Sequence, residues 1–185
     1  MKIHVFPTFS GEDKGDGGVR RVVEAQLRSL PRLRVQFTSA GDADLIASHI
    51  MIPDEYLRLF PDKPFVSHCH GLYWAEYEWE TWAYKANKGV LKSICTADAV
   101  TAPTEWVAQT IRRHTSRKVY VVPHGVSGRE WQPGENRGYV LWNKTRVDSV
   151  CSPDDLNVLA RVMPDIPFVS TFGDERANMT LTGRL

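Results

Sequence analysis

The chain has 185 residues, 42% of them hydrophobic and 24% charged, an ordinary globular composition that suits one full domain plus something more and excludes disorder. A formal net charge of +1 without a run of basic residues offers nothing to nucleic acid and no long-range attraction to an anionic membrane. Cys69, Cys95 and Cys151 are widely spaced with no C-x-x-C pair, so neither a disulfide framework nor a cysteine zinc site is suggested.

Met1 leads straight into the apolar run Ile3 to Phe6, without a basic n-region and long h-region, and no apolar stretch approaches about 18 residues. The expectation is a cytoplasmic protein in a reducing compartment, with attachment at the inner face of a membrane left open. Ile3 to Phe6 reads as a buried strand, and Val19, Val22, Val23, Leu27 and Leu30 recur at helical spacing after it. Between them lies a loop with Gly15, Gly17 and Gly18, longer than the roughly 2–6 residues usual in α/β units. Glycines there let the backbone approach a ligand, and the helix that follows aims its free N–H groups at the same place. The loop is no dinucleotide fingerprint, because Arg20 stands where the third glycine of G-x-G-x-x-G belongs, and no Gly-Lys-Ser or Gly-Lys-Thr makes it a Walker loop. A surface loop with surplus glycines is the bland alternative.

Further along, Arg34 to Phe37 and Leu45 to Ser48 read as strands, Pro53 to Phe60 as a short helix, and Pro64 to Ser67 as a strand running into His68-Cys69-His70-Gly71. His68 and His70 share one side of an extended backbone, but the third and fourth ligands of a zinc site are missing, so no metal is expected. His70 beside Gly71 is the better candidate to face a cleft, where an imidazole can hydrogen-bond a hydroxyl-rich substrate or move a proton. Two packed histidines with satisfied nitrogens remain the alternative. Leu72 to Ser93 reads as an aromatic-rich helix with Ala75, Trp79, Trp82, Ala86 and Val90 as its core face, while Tyr73, Trp74 and Tyr77 either cover the cleft or enter the core. Ala99 to Ala102 is a strand. Thr104 caps a helix whose stripe is Trp106, Val107, Thr110 and Ile111, and Lys118 to Val122 is a sixth strand. This alternation predicts a doubly wound parallel sheet whose ligands bind outside the carboxyl ends of the strands.

The glycine, proline and charge content of residues 127–137 marks a linker, dividing a first domain, 1–126, from a second unit, 138–185. Gly138 to Trp142 and Pro167 to Thr171 read as strands of that unit. Between them Ser152, Pro153, Asp154 and Asp155 open a helix with Leu156, Leu159, Ala160 and Met163 as its stripe.

The ordered set KIHVF, GDGGVRRVV, HCHGLYW, DAVTAPTEWVAQTI and VVPHGV resembles the amino-terminal half of GT-B glycosyltransferases of the large retaining family 4, over about Lys2 to Val126. His124 stands where that family commonly has asparagine. The resemblance implies a Rossmann-like GT-B amino-terminal half followed by the start of a donor domain. It also implies transfer of a sugar from a nucleotide-sugar donor to the hydroxyl of a glycan, lipid or small-molecule acceptor, with retention and without a cofactor or metal. It places Gly17 and Gly18 near the reacting sugar and diphosphate and His70 against the transferred sugar or acceptor. Lys144 and Arg146 stand close to where the family carries its two diphosphate-binding cations, and their alternative is as solvated loop charges. The family's paired glutamates have no match among residues 139–185, where Glu175 stands alone. The 185-residue chain is therefore expected to bind nucleotide-sugars weakly and to be inactive alone. The rival expectation is a non-catalytic GT-B half that binds a glycan or protein partner, and a weaker one is a phosphosugar epimerase or phosphorylase of similar architecture. A reading frame extending about one domain further, with paired glutamates, would favour the enzyme.

Overall fold

The computed structural model describes residues 1–11, 17–73, 81–144, 147 and 151–183. Its strands are β1 (Lys2–Phe6), β2 (Gln36–Phe37), β3 (Leu45–Ser48), β4 (Phe65–His68), β5 (Ala99–Ala102), β6 (Val119–Val121), β7 (Val140–Trp142), β8 (Phe168–Ser170) and β9 (Met179–Leu181). Its α-helices are α1 (Gly17–Ser29), α2 (Asp54–Leu59), α3 (Thr81–Thr96), α4 (Glu105–Arg112) and α5 (Asp154–Val162). The chain divides into two compact units, Met1–Gly125 and Val126–Leu185.

The first unit is an α/β half built on a six-stranded, wholly parallel sheet in the order β2-β1-β3-β4-β5-β6. Side-chain alternation along each strand sends its residues to two separate cores. Ile3, Val5 and Ala47 pack with Val23 of α1 on one face. Ile46, Phe65, Val100 and Ala102 pack on the other with Ile94 of α3 and Val107, Ala108 and Ile111 of α4. The direction of travel explains the division. The step from β1 to β2 runs one way along the sheet and the steps from β3 through β6 run the other, so right-handed crossovers place α1 opposite α2, α3 and α4.

Capping and close approach fix the helices in place. The Thr104 hydroxyl accepts the Val107 N–H and starts α4. At Gly89 of α3 an added Cβ would lie 2.8 Å from the Met51 sulfur, and the Ser93 hydroxyl one turn on accepts the Ile52 N–H. The segment after β3 is thereby docked on α3.

The second unit carries a three-stranded parallel sheet, β7-β8-β9, with Leu156 and Ala160 of α5 packed on Phe168 and Met179. The strand β9 has no counterpart among the elements expected from the sequence. The two expected helix stripes are also narrower than predicted. In α4, Val107 and Ile111 are buried but Trp106 is 62% exposed, and Leu159 of α5 and Met163 just after it are exposed. Ala108 of α4 and Ala160 of α5 are buried members of their respective cores. Ala75 and Trp79, expected on the core face of α3, and Trp74 and Tyr77 lie outside the described residues; Trp82 sits at the surface with Tyr73 packed edge-on against it at 5.0 Å.

Truncating a side chain with no exposure should cost far more than truncating its exposed neighbour on the same helix. Ile111→Ala is expected to lower the unfolding free energy by about 2–5 kcal/mol. Trp106→Ala should cost less than half of that, and chemical denaturation of the two variants measures the difference.

Candidate functional site

All six strands of the first sheet end on one edge, with Phe6 beside Ser48, Ser48 beside Ser67 and His68 beside Thr101. From β1 and β3, which are neighbours, the chain departs to opposite faces. That reversal opens a crevice at the carboxyl ends, the place where open α/β sheets take their ligands.

Gly11, in the segment after β1, is tied to α1 by Arg20. The buried guanidinium pairs with Glu24 at 2.7 Å, donates to the Gly11 carbonyl at 2.6 Å and lies 5.7 Å from the centre of the Phe9 ring. The arginine that spoils the dinucleotide fingerprint is thus a strut tying α1 back to the loop. Gly15 lies outside the described residues. Gly17 has φ of +74°, a conformation that favours glycine, and a Cβ on Gly17 or Gly18 would meet nothing within 4 Å. Both are exposed on the first turn of α1, with open space before them among the described residues.

Beside the loop four histidines converge. His49 follows β3, and its N–H continues the ladder to the Phe6 carbonyl at 2.8 Å. Its ring is only 2% exposed and stacks on His68 with centroids 4.5 Å apart. The two ring nitrogens of His49 are both engaged, Nδ1 with His70 Nε2 at 3.0 Å and Nε2 with Gln26 Oε1 at 2.9 Å. His68 Nδ1 meets the Thr101 hydroxyl at 2.6 Å. His70 is half-buried, lies 5.1 Å from the ring of exposed His124, and forms the polar wall of a pocket of about 220 Å³. The pocket's remaining lining comes from Gly71, Leu72 and one flank of α4, including Trp106 and Thr110.

Burial pushes the imidazoles down from their ordinary range. His49 falls to about 3, first through desolvation and then through the proximity of His68, His70 and His124. His68 and His70 fall to about 4, again mainly by burial and next by the nearby His124. His49, His68 and His70 are thereby held neutral at physiological pH, a set of donors and acceptors rather than of cations. Burial raises the thiol of Cys69, outweighing an opposing hydrogen bond from the Gly71 backbone, which disfavours the nucleophilic thiolate. Among the described residues no group of three or more His, Cys, Asp or Glu side chains is arranged to hold a metal ion.

In the second unit Lys144 follows β7, is exposed, and places its ammonium 5.5 Å from the Trp142 ring. Its backbone is clamped in both directions by the Thr171 hydroxyl, at 3.1 and 2.7 Å. Arg146 lies outside the described residues. An open cleft at the same sheet edge is lined by Ser152, Asp154, Asn157, Gly173 and Asp174 among others.

Sequence reasoning singled out His70 and missed both His49 and Gln26. The available signal was the position of His49 directly after a strand of the parallel sheet. Its partners are 23 and 21 residues distant, which no local pattern reveals.

Two outcomes test this arrangement. Unfolded histidine titrates near 6.5, whereas His49, His68 and His70 hold out to about 3–4. As the pH falls below about 6.5 the unfolded chain takes up protons that the folded chain refuses, so stability must fall with pH there and be insensitive to these groups above about 7. Urea unfolding between pH 7.5 and 5 should show this slope, and His49→Gln should flatten it. Arg20→Ala removes one partner of a buried ion pair and should cost about 1–3 kcal/mol, with faster proteolysis of the loop after β1.

The comparisons with known proteins agree with the geometry. The family described as Glycosyltransferase Family 4 matches residues 17–128, from the first turn of α1 to just beyond β6. No curated protein matches the chain. Because the matched segment covers more than half of the sequence and contains α1, the histidine cluster and the pocket beside His70, the chain belongs to Glycosyltransferase Family 4.

Proposed function

We propose that the chain is the acceptor-side half, with the beginning of the donor side, of a GT-B glycosyltransferase that moves a sugar from a nucleotide diphosphate to an acceptor hydroxyl with retention of configuration. The observation that carries the reading is His70, a neutral imidazole at the strand ends that walls a pocket inside the family-matched segment. In the reaction the bond from the anomeric carbon to the diphosphate oxygen breaks, a bond to the acceptor oxygen forms, and the proton of the acceptor hydroxyl passes to the departing diphosphate.

In this reading Gly17 and Gly18 let the loop approach the reacting sugar and the diphosphate, and the open space before them is suited to that. His70 hydrogen-bonds the transferred sugar or the acceptor. Lys144 and Arg146 meet the charge of the leaving diphosphate as fixed cations, which removes the need for a metal or other cofactor. The donor is a nucleotide-sugar and the acceptor a hydroxyl-bearing glycan, lipid or small molecule. Nucleic acid is no partner, and the reaction belongs in the cytoplasm or at the inner face of a membrane. No helix among the described residues is long and apolar enough to cross one.

A second reading, a non-catalytic half that binds a glycan or protein partner, draws on the cleft of the second unit. Asp154 and Asp174 both line it, and two carboxylates disfavour a diphosphate there.

Transfer and binding assays with uridine, guanosine and adenosine diphosphosugars separate the readings. In a form that turns over, His70→Ala should reduce kcat/KM by about tenfold or more, the loss of one to two hydrogen bonds to the reacting groups. Its unfolding free energy should fall by only about 1–3 kcal/mol, the cost of leaving the buried His49 Nδ1 without its partner. A large loss of stability with unchanged specific activity would leave His70 a packing residue.

A further inference from the structure

His49 and Gln26 lie outside the pocket that His70 lines, yet they make a continuous chain of hydrogen bonds to it. Gln26 Oε1 stands 2.9 Å from His49 Nε2, and His49 Nδ1 stands 3.0 Å from His70 Nε2. An amide oxygen has lone pairs and no hydrogen, so His49 Nε2 must carry the proton that joins them. A neutral imidazole has one N–H, which leaves His49 Nδ1 a bare acceptor. The proton in the next bond then comes from His70 Nε2, and His70 Nδ1 is left with its lone pair. The stacked ring of His68 and the tilted ring of His124 are the titratable groups against this chain, and each disfavours a positive charge within it.

We infer that Gln26 and His49 are positioning residues that set the tautomer of His70, so that its Nδ1 is a hydrogen-bond acceptor for a hydroxyl of the sugar or acceptor. The inference rests on the transfer reaction proposed above for the use of that lone pair, but not for its existence. Three elements cooperate: α1 supplies the amide, the end of β3 supplies the relay, and the end of β4 supplies the ring that meets substrate. A His70 free to exchange tautomers would spend part of its time presenting an N–H at Nδ1, which cannot accept the hydroxyl proton.

The test reads tautomers directly, by long-range proton–nitrogen correlation spectra of histidine-labelled 185-residue chain at pH 7. The expected pattern is protonated Nε2 and bare Nδ1 for both His49 and His70. Gln26→Glu keeps an acceptor oxygen and should preserve that pattern. Gln26→Leu should bring His70 into tautomer averaging, and Gln26→Lys, which offers only donors, should reverse both rings. Protonated Nδ1 on His70 in the parent chain, or identical spectra for the Leu and Glu variants, would overturn the inference. In a form that turns over, Gln26→Leu should lower kcat by about three- to tenfold with little change in KM, and Gln26→Glu should restore it. If no nucleotide-sugar is turned over by the parent protein, the proposed reaction fails while the spectra still decide the tautomer chain.

Discussion

A histidine ring sealed from water must find one acceptor and one donor among its neighbours, because each unmet nitrogen costs free energy of the order of 1–3 kcal/mol. His49 meets that demand only where the ends of β3 and β4 lie beside α1, so its ring records the arrangement of three elements at once. The parallel ladder sets the position of the strand ends, the crossover from β1 sets α1 over the sheet, and Gln26 closes the remaining bond. Arg20 repeats the device nearly two turns earlier on the same helix, exchanging a buried charge for an ion pair, a carbonyl and an aromatic face.

Burial also decides what kind of chemistry the edge can perform. Desolvated and crowded by one another, these imidazoles stay uncharged, which suits them to sugar hydroxyls and makes them poor counter-ions for phosphate.

The fold was legible wherever the pattern was local. β3 and β5 have the bounds their apolar runs suggest, and the Thr104 cap is visible as a hydroxyl just before an apolar-periodic segment. The strand β9 was not, because Met179 is its single buried residue and three residues carry no period. Trp106 misled for a related reason: helical spacing marks a face but not its width, and the buried residues of α4 are Val107, Ala108 and Ile111, with the indole left outside. Of the site, His70 was marked by its glycine and its place after a strand. Gln26 carries no such mark, being one polar residue among several on α1 until the fold sets it against His49.

The length of α1 gives the arrangement a mechanical side. Gly17 begins the helix and Gln26 lies nine residues on, about 13 Å along a rod that bends little over such a distance. One stiff element thus spans the distance between the exposed first turn at Gly17 and the amide that Gln26 sets against the buried His49 ring.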